Sequence, residues 1–490
     1  LSKPDEGPQP ELIPAPSTRG FLFGLSAAPA LAVVLSGLVV ILAFQLIGGM
    51  QALVVSAPVY IPLLLSAFIP VGDRKLLEWI PIAMAMIQKQ ITRQDRYRAK
   101  ILAPRPDGTL ALPGRTAALR LVEDAPSGAA FIHDPHRQTL VAVARIEHGE
   151  FLLLDDTEKE ERSILFSRLI SQIASAEGIT RTQIISRSIP DVGVGVKTWW
   201  EKQRSKAVSP IAAQAYDELT EAVTTATERH ETLMVFSLDL RATGRAIKSY
   251  GGGLAGAAAI MRARMGTIEG AARTAKLRVS SWLTREELSI MIRTAYDPAD
   301  APFLQEHPNL GARTDQAGPV ALREKWTMLQ TDSAVHKTFL VVWPGIRVWP
   351  GFLRPLVVRP GTRIAFTLIF EPIPRKKALA EAKREVINEE IRAHEKAKSG
   401  KISTVLDSMD SQKASQNLAD VASGFTDVRF AGLITVSAAD EHALGEAVED
   451  AKTAAAEANC ELRLMYGQQE SMFPIAALPL ARGLRKKMMI

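Results

Sequence analysis

The chain has 490 residues, 47% of them hydrophobic and 23% charged, with a formal net charge of +6 and one cysteine, Cys460. A lone cysteine excludes an intrachain disulfide framework and any cysteine-based zinc knuckle. The positive balance is modest for this length, and it points to anionic lipid or a charged partner as readily as to nucleic acid.

Residues 1–19 are Pro-rich and polar (Lys3, Pro4, Asp5, Glu6, Pro8, Pro10), which predicts a flexible tail that cannot bury enough apolar surface to fold alone. From Gly20 to Gly72 the sequence contains no Asp, Glu, Lys, Arg or His. A helix that crosses a bilayer needs about 20 apolar residues, so this stretch predicts two crossings, Ala27 to Ile47 and Ala52 to Ile69. Gly48, Gly49, Met50 and Gln51 supply the turn. A cleaved signal peptide is disfavoured by the length, the second apolar run and the acidic tail where a basic region would stand. Arg19 precedes the hairpin and Arg74, Lys75, Lys89, Arg93, Arg96, Arg98 and Lys100 follow it, while its turn is uncharged. The positive-inside bias therefore places both termini in the cytoplasm of a two-span membrane protein. Pro58 and Pro62 interrupt the second helix, which suits either an oligomeric assembly in which a neighbour or ordered water repairs the freed carbonyls or a kinked helix that faces lipid.

Residues 73–105 form the next segment. Leu76, Leu77, Ile80, Met84, Ile87 and Ile91 recur at helical spacing beside Trp79, which predicts an amphipathic helix on the bilayer surface. The basic run TRQDRYRAK behind it suits anionic headgroups better than DNA phosphate, immediately next to a span.

Residues 106–205 alternate as short strands (Ala117 to Val122, Ala130 to His133, Thr139 to Ile146, Phe151 to Leu154), then a helix opened by Thr157 and Glu160 as a capping box, then a strand from Arg181 to Arg187. Leu165, Leu169 and Ile173 form that helix's sheet-facing side, with Phe166 and Ile170 beside them. Residues 206–336 begin with a helix from Ala207 to about His230, followed by the strand Thr232 to Leu240. A glycine-rich turn (Gly251 to Gly256) leads into a long helix through Lys276, and Thr284 with Glu287 caps a helix ending near Tyr296. Residues 297–336 lack periodicity and are expected to be a surface excursion.

Residues 337–490 contain strands His336 to Trp343 and Thr362 to Phe370, then a solvated helical arm, Arg375 to Lys398, dense in Glu, Lys and Arg. Ser399 to Ala422 continues polar. The closing block reads strand, helix, strand, with Ser437 and Asp440 at the helix start. Together these patterns predict an α+β fold with ferredoxin-like βαβ elements in the cytoplasmic part.

No chemistry emerges from the motifs. Gly400-Lys401 is followed by Ile402 and lacks the upstream glycine of a phosphate loop, the position being Glu395. Gly251, Gly252, Gly253 and Gly256 open a helix and suit close packing better than anion binding. His133 and His136, near His148 and Glu150, have no metal-ligand spacing and fit turn residues. Ser26, Ser36 and Ser66 lie in the apolar helices without a base nearby. No catalytic, cofactor-binding or metal-ligating residues are assigned, and a membrane-bound enzyme is the weakest reading.

The stretch RGFLFGLSAAPAL, the two apolar runs and LLEWIPIAMAMIQKQITRQDRYRA together resemble the PrgI-type small inner-membrane subunit of type IV secretion and conjugation machines. The runs DVRFAGLITVSAADEHAL and LRLMYGQQESMFPIAALPLARGL resemble the N-terminal, non-motor half of the conjugation ATPase, and the two are fused in actinobacterial conjugative elements. The nucleotide-binding domain of those ATPases has no counterpart in this sequence. The resemblance implies a non-catalytic subunit that joins a separate motor ATPase to the other subunits of the secretion channel. Topology leaves open an EccE-type component of type VII secretion, which also has two N-terminal spans and a cytoplasmic part.

Overall fold

The computed structural model describes residues 11–12, 27–72, 74–100, 105–149, 151, 154–191, 200, 209–224, 227–307, 314–343, 347–359, 361–398, 405–423, 427–484 and 488–489. Two apolar helices come first, α1 (Ala27–Ile47) and α2 (Gln51–Phe68), joined by Gly48 and Gly49, both at positive φ. Their apolar side chains are largely exposed, Leu46 at 84% and Val54 at 73%, as expected where no protein core covers them. By length and composition both could cross a membrane. Helix α3 (Leu76–Ile91) follows after a tight reversal.

Within the basic segment after α3, Arg96–Arg98 forms a strand, β1. Twelve more strands join it among the described residues: β2 (Arg120–Asp124), β3 (Ala129–Asp134), β4 (Thr139–His148), β5 (Ile179–Asp191), β6 (Thr227–Asp239), β7 (Leu277–Trp282), β8 (Ala321–Glu324), β9 (Leu329–Thr331), β10 (Ala334–Val342), β11 (Arg363–Pro372), β12 (Val428–Ala438) and β13 (Glu461–Leu464). They form one sheet in the order β1-β8-β9-β10-β12-β11-β5-β6-β4-β3-β2, with β7 on β4 and β13 on β10, every pairing antiparallel. The helices of 8 residues or more that follow α3 among the described residues are α4 (Asp156–Ser175), α5 (Pro210–Thr224), α6 (Gly253–Thr274), α7 (Arg285–Tyr296), α8 (Arg375–Lys398), α9 (Val405–Ser423), α10 (Glu441–Glu457) and α11 (Gln469–Ala476). The molecule is therefore mixed α+β, built on a large antiparallel sheet.

The sheet contains the same arrangement twice. In the first half β4, β5, β6 and β7 lie in the order β5-β6-β4-β7, and in the second β10, β11, β12 and β13 lie in the order β11-β12-β10-β13. A hairpin precedes each set (β2–β3 and β8–β9), helical segments interrupt its second and third strands (α5; α8 with α9), and a helix follows it (α7; α11). The halves meet through their second strands, Ala365 opposite Arg187 and Phe370 opposite Thr182.

Both faces of the sheet are covered, so its central strands are apolar throughout instead of alternating. In β6, Leu233 and Val235 enter the core under α7 and α11, while Met234, Phe236 and Leu238 enter the one under α4 and α6. Phe473 of α11 packs on Tyr296 of α7 with ring centroids 5.0 Å apart, which ties the halves into one core. Gln183, fully buried on β5, donates to the carbonyls of Ile475 (2.9 Å) and Leu478 (3.1 Å) and accepts from the Ala481 N–H (2.7 Å). The half-to-half seam also has reciprocal arginine clamps. Arg293 of α7 reaches Asp332 between β9 and β10 (2.6 Å), and Arg482 beyond α11 reaches Asp134 at the end of β3 (2.7 Å).

Several sequence expectations change. The strand expected over Ala117 to Val122 starts only at Arg120, because a 3-10 turn at Gly114–Thr116 precedes it. Neither Phe151 nor Leu154 is in a strand, and Leu152 and Leu153 lie outside the described residues. Helix α4 is capped by Asp155, whose side chain accepts from the Glu158 N–H, so Thr157 and Glu160 sit within the first turns instead of forming a capping box. The Thr284–Glu287 box is present as expected. The helix expected through His230 ends at Thr224, since the β-branched and charged residues from Thr227 onward pair with β5, His230 opposite Ser188. Residues 297–336 are no surface excursion: β8 and β9 belong to the sheet, and Glu324, Leu329 and Thr331 are buried. Strands of three or four residues are too short to show a period, which is why the segment looks irregular in sequence.

Candidate functional site: the junction of the apolar helices with the body

The path from α2 to the sheet is short and stiff. Pro70 pairs with Lys75 and Val71 with Arg74, and the Leu76 N–H donates to the Ile69 carbonyl at 3.1 Å. The indole N–H of Trp79 donates to the Val71 carbonyl at 2.9 Å, so the first turn of α3 is fastened to the reversal that precedes it. Arg74 lies over the same indole, 5.8 Å from the ring centroid.

One side of α3 is docked on the second half of the body. Trp79 meets Tyr466 edge-on at 5.0 Å and Trp326 at 6.0 Å, and Met86 is buried. Gly467, at φ +62, follows Tyr466 where the chain leaves β13; a Cβ there would stand 2.8 Å from the Trp326 ring and 3.1 Å from Ile82 of α3. Only a glycine allows both the backbone turn and this close approach.

A charged cluster completes the contact. Lys89 bridges Glu324 of β8 (2.6 Å) and Glu470 of α11 (3.1 Å), and the side chain of Glu324 is wholly inaccessible. Glu324 also accepts from the Glu470 N–H at 3.0 Å in the first turn of α11, a position where a carboxylate is favoured by the unbonded amides of a helix start. Burial alone would lower the Lys89 pKa, but hydrogen bonding and charge from the two carboxylates outweigh it and raise it. Burial pushes the Glu324 carboxyl above its usual range more strongly than Lys89 and the helix N–H hold it down. The pair is thus costly to desolvate and costlier to break from the lysine side, because Glu324 without Lys89 would be an uncompensated buried charge. Strand β1 then pairs with β8, Tyr97 opposite Leu322, and the Tyr97 hydroxyl donates to the Ala111 carbonyl at 3.0 Å, bringing the two ends of the sheet together.

No family model matches the chain, and no curated protein matches it. The junction is a helix fastened at one end to two apolar helices and at the other to a folded body.

The residues considered from the sequence alone fall elsewhere. His133 is in β3 and not in a turn, with its pKa lowered by burial, whereas His136 is exposed in the turn, its N–H donating to Asp134. The side chain of His148 and the whole of Glu150 lie outside the described residues, as do Ser26, Gly400 and Lys401. Among the described residues no group of three His, Cys, Asp or Glu could hold a metal ion. The hydroxyls of Ser36 and Ser66 donate to the carbonyls of Val33 and Leu63 one turn back, each at 2.7 Å. Gly256 is a packing glycine, since a Cβ there would be 2.5 Å from the Ile247 carbonyl oxygen. Sequence reasoning missed Glu324, Trp326, Tyr466 and Glu470. The available signal was the REKW run at 323–326, an acidic residue and a tryptophan within a segment otherwise taken for a loop.

Proposed function

We propose that the chain is a non-catalytic, membrane-anchored assembly subunit in which α1 and α2 cross the bilayer as a hairpin with both termini cytoplasmic. The observation that carries this reading is the junction: two exposed apolar helices are linked to a large mixed body by a connection with no slack. Two uncovered helices of mean hydropathy 2.7 and 1.7 would expose a large apolar surface to water and suit a bilayer instead. In this reading the body is a pair of ferredoxin-like units, an assignment supported by the strand order of each half. The machine is a type IV secretion or conjugation apparatus, and the partners are a separate motor ATPase and the other channel subunits, on the strength of the resemblance of residues 19–31, 76–99, 427–444 and 462–484 to proteins of that kind.

Two measurements test the reading. Alkaline carbonate should leave the chain in the membrane pellet, and Leu38→Arg, which adds an insertion cost of roughly 2.5–3.5 kcal/mol at mid-helix, should release or misinsert it. Retrieval of the intact chain from detergent-solubilised membranes should bring down an ATPase with a complete GxxxxGK[ST] loop. Extraction by carbonate would end the anchoring claim, and retrieval without any such ATPase would end the secretion claim.

A further inference from the structure

Helix α3 has two apolar faces, and the body uses one of them. Trp79, Met86 and Lys89 point into the body, as described above. On the other face Leu76, Ile80, Met84, Ile87 and Ile91 are 39%, 48%, 63%, 53% and 77% exposed. Their spacing of four, four, three and four residues keeps them on one stripe of the helix. The stripe continues an apolar surface that begins at the end of α2, where Phe68, Ile69 and Val71 are also exposed. Both ends of the stripe carry cations: Arg74 and Lys75 at the start of α3, and Arg93, Arg96, Arg98 and Lys100, all exposed, just past its end.

These observations select an occupant. A second copy docked on the stripe would bring like-charged ends against each other in either direction. A bilayer surface meets the pattern instead: its acyl boundary takes the apolar residues, its anionic headgroups take the cations, and the hairpin already reaches it. We propose that α3 lies in the interfacial layer of an anionic bilayer, with Leu76, Ile80, Met84, Ile87 and Ile91 at the acyl boundary and Arg93, Arg96, Arg98 and Lys100 at the headgroup phosphates. The helix is then a wedge between lipid and body. Because its other face is fixed by Trp326, Tyr466, Glu324 and Glu470, the body is held in one orientation to the membrane and presents one constant surface to its partners. This inference rests on the anchoring reading and goes beyond it by assigning the lipid contacts and the orientation.

The test uses the full chain with Cys460→Ser, reconstituted in phosphatidylcholine vesicles containing phosphatidylglycerol, with single spin labels at Leu38→Cys, Met84→Cys, Ile87→Cys, Ile91→Cys or Lys452→Cys. Labels at positions 84 and 87 are expected to collide with oxygen several-fold more than with a water-soluble nickel chelate, and the label at 452 to show the reverse. Nickel access at 84 and 87 equal to that at 452, with position 38 still shielded in lipid, would overturn the wedge while leaving the anchor intact. Shielding of 84 and 87 from both reagents would overturn it in favour of a protein neighbour. Nickel access at position 38 would mean that the anchor itself fails. In a second arm, Arg98→Gln with Lys100→Gln should abolish the gain in oxygen collision at position 91 on adding phosphatidylglycerol; an unchanged gain would remove those two residues from the headgroup contact.

Discussion

The two halves of the sheet place a buried carboxylate at the same point and satisfy it in different ways. Asp124 is the last residue of β2, opposite Ala129, and Glu324 is the last residue of β8, opposite Leu329; each closes a four-residue turn. In the first half the carboxylate is held locally. Arg262 of α6 grips Asp124 with two hydrogen bonds, at 2.7 and 2.9 Å, and Ser127 adds a third at 2.5 Å. Hydrogen bonding to Arg262, more than burial opposes it, keeps the Asp124 carboxyl below its usual range. In the second half the cation comes from outside the unit, as Lys89 of α3, and the Glu324 carboxyl is raised. A position that staples one half to itself thus fastens the other to the helix that carries the hairpin.

The sharpest way to break this comparison is to ask whether the halves are separable. Phe473→Ala empties a fully buried site between Tyr296 (5.0 Å) and His336 (4.7 Å) and should cost about 3–5 kcal/mol. One cooperative transition shifted to lower denaturant is expected; two resolved transitions would show that the halves fold independently. Next comes the junction. Lys89→Ala leaves Glu324 buried without its cation and should destabilise the body by about 3 kcal/mol, with the loss largely recovered in Lys89→Ala/Glu324→Gln. Equal losses in the single and double variants, measured by chemical unfolding, would mean that the charge pair is not what matters there.

Acid should reach the halves in different windows. His336, in the second half, is fully buried, and its Nε2 donates to the Tyr296 carbonyl at 3.1 Å while Nδ1 accepts from Ser437 at 2.8 Å. Burial holds its pKa down to about 4 despite that carbonyl. A base depressed below its unfolded value of 6.5 contributes stability that is present above 6.5 and lost as pH falls toward 4. Glu231, in the first half, would be raised by burial, but Arg187 and Arg145 outweigh it and bring it to about 2. Its contribution is present above 4.5 and lost as pH falls toward 2. Each loss is on the order of 3 kcal/mol. His336→Gln should therefore flatten the upper part of the stability–pH curve and leave the lower part, a result checked by denaturant titration at stepped pH. The smallest effect is expected from Arg262→Ala, where the lost cation is 39% exposed and Ser127 still donates to the buried Asp124. A drop in melting temperature larger than that of Lys89→Ala would reverse the contrast between the halves.

Much of the frame is legible in the amino-acid order. The charge-free run from Gly20 to Gly72 makes helices wherever it is placed, because a helix satisfies its own backbone, and α1 and α2 lie within one residue of the expected bounds. The apolar runs around Val141, Phe236 and Leu433 announce strands, though not that both their faces are covered, and Asp440 caps α10 through the Ala443 N–H. Local signals of this sort act over a few residues, which is why they survive in sequence. The expected capping of α4 failed by two residues because Asp155 and Thr157 are both competent caps and only the path of the preceding chain chooses between them.

The rest was decided by distant contacts. Strands β1, β8 and β9 have too few residues for a period and exist because neighbours complete their hydrogen bonds. The doubling of the sheet appears in no shared motif, since strand order depends on which edges meet and not on which residues line them. Lys89 and Glu324 lie 235 positions apart, and neither sequence neighbourhood points to the other. Sequence alone therefore determined that the chain carries an apolar hairpin and a sheet-rich body, through local periodicity and the absence of charge. Tertiary structure alone decided how one is bolted to the other, because only the folded chain brings Lys89 within 2.6 Å of the inaccessible carboxylate of Glu324.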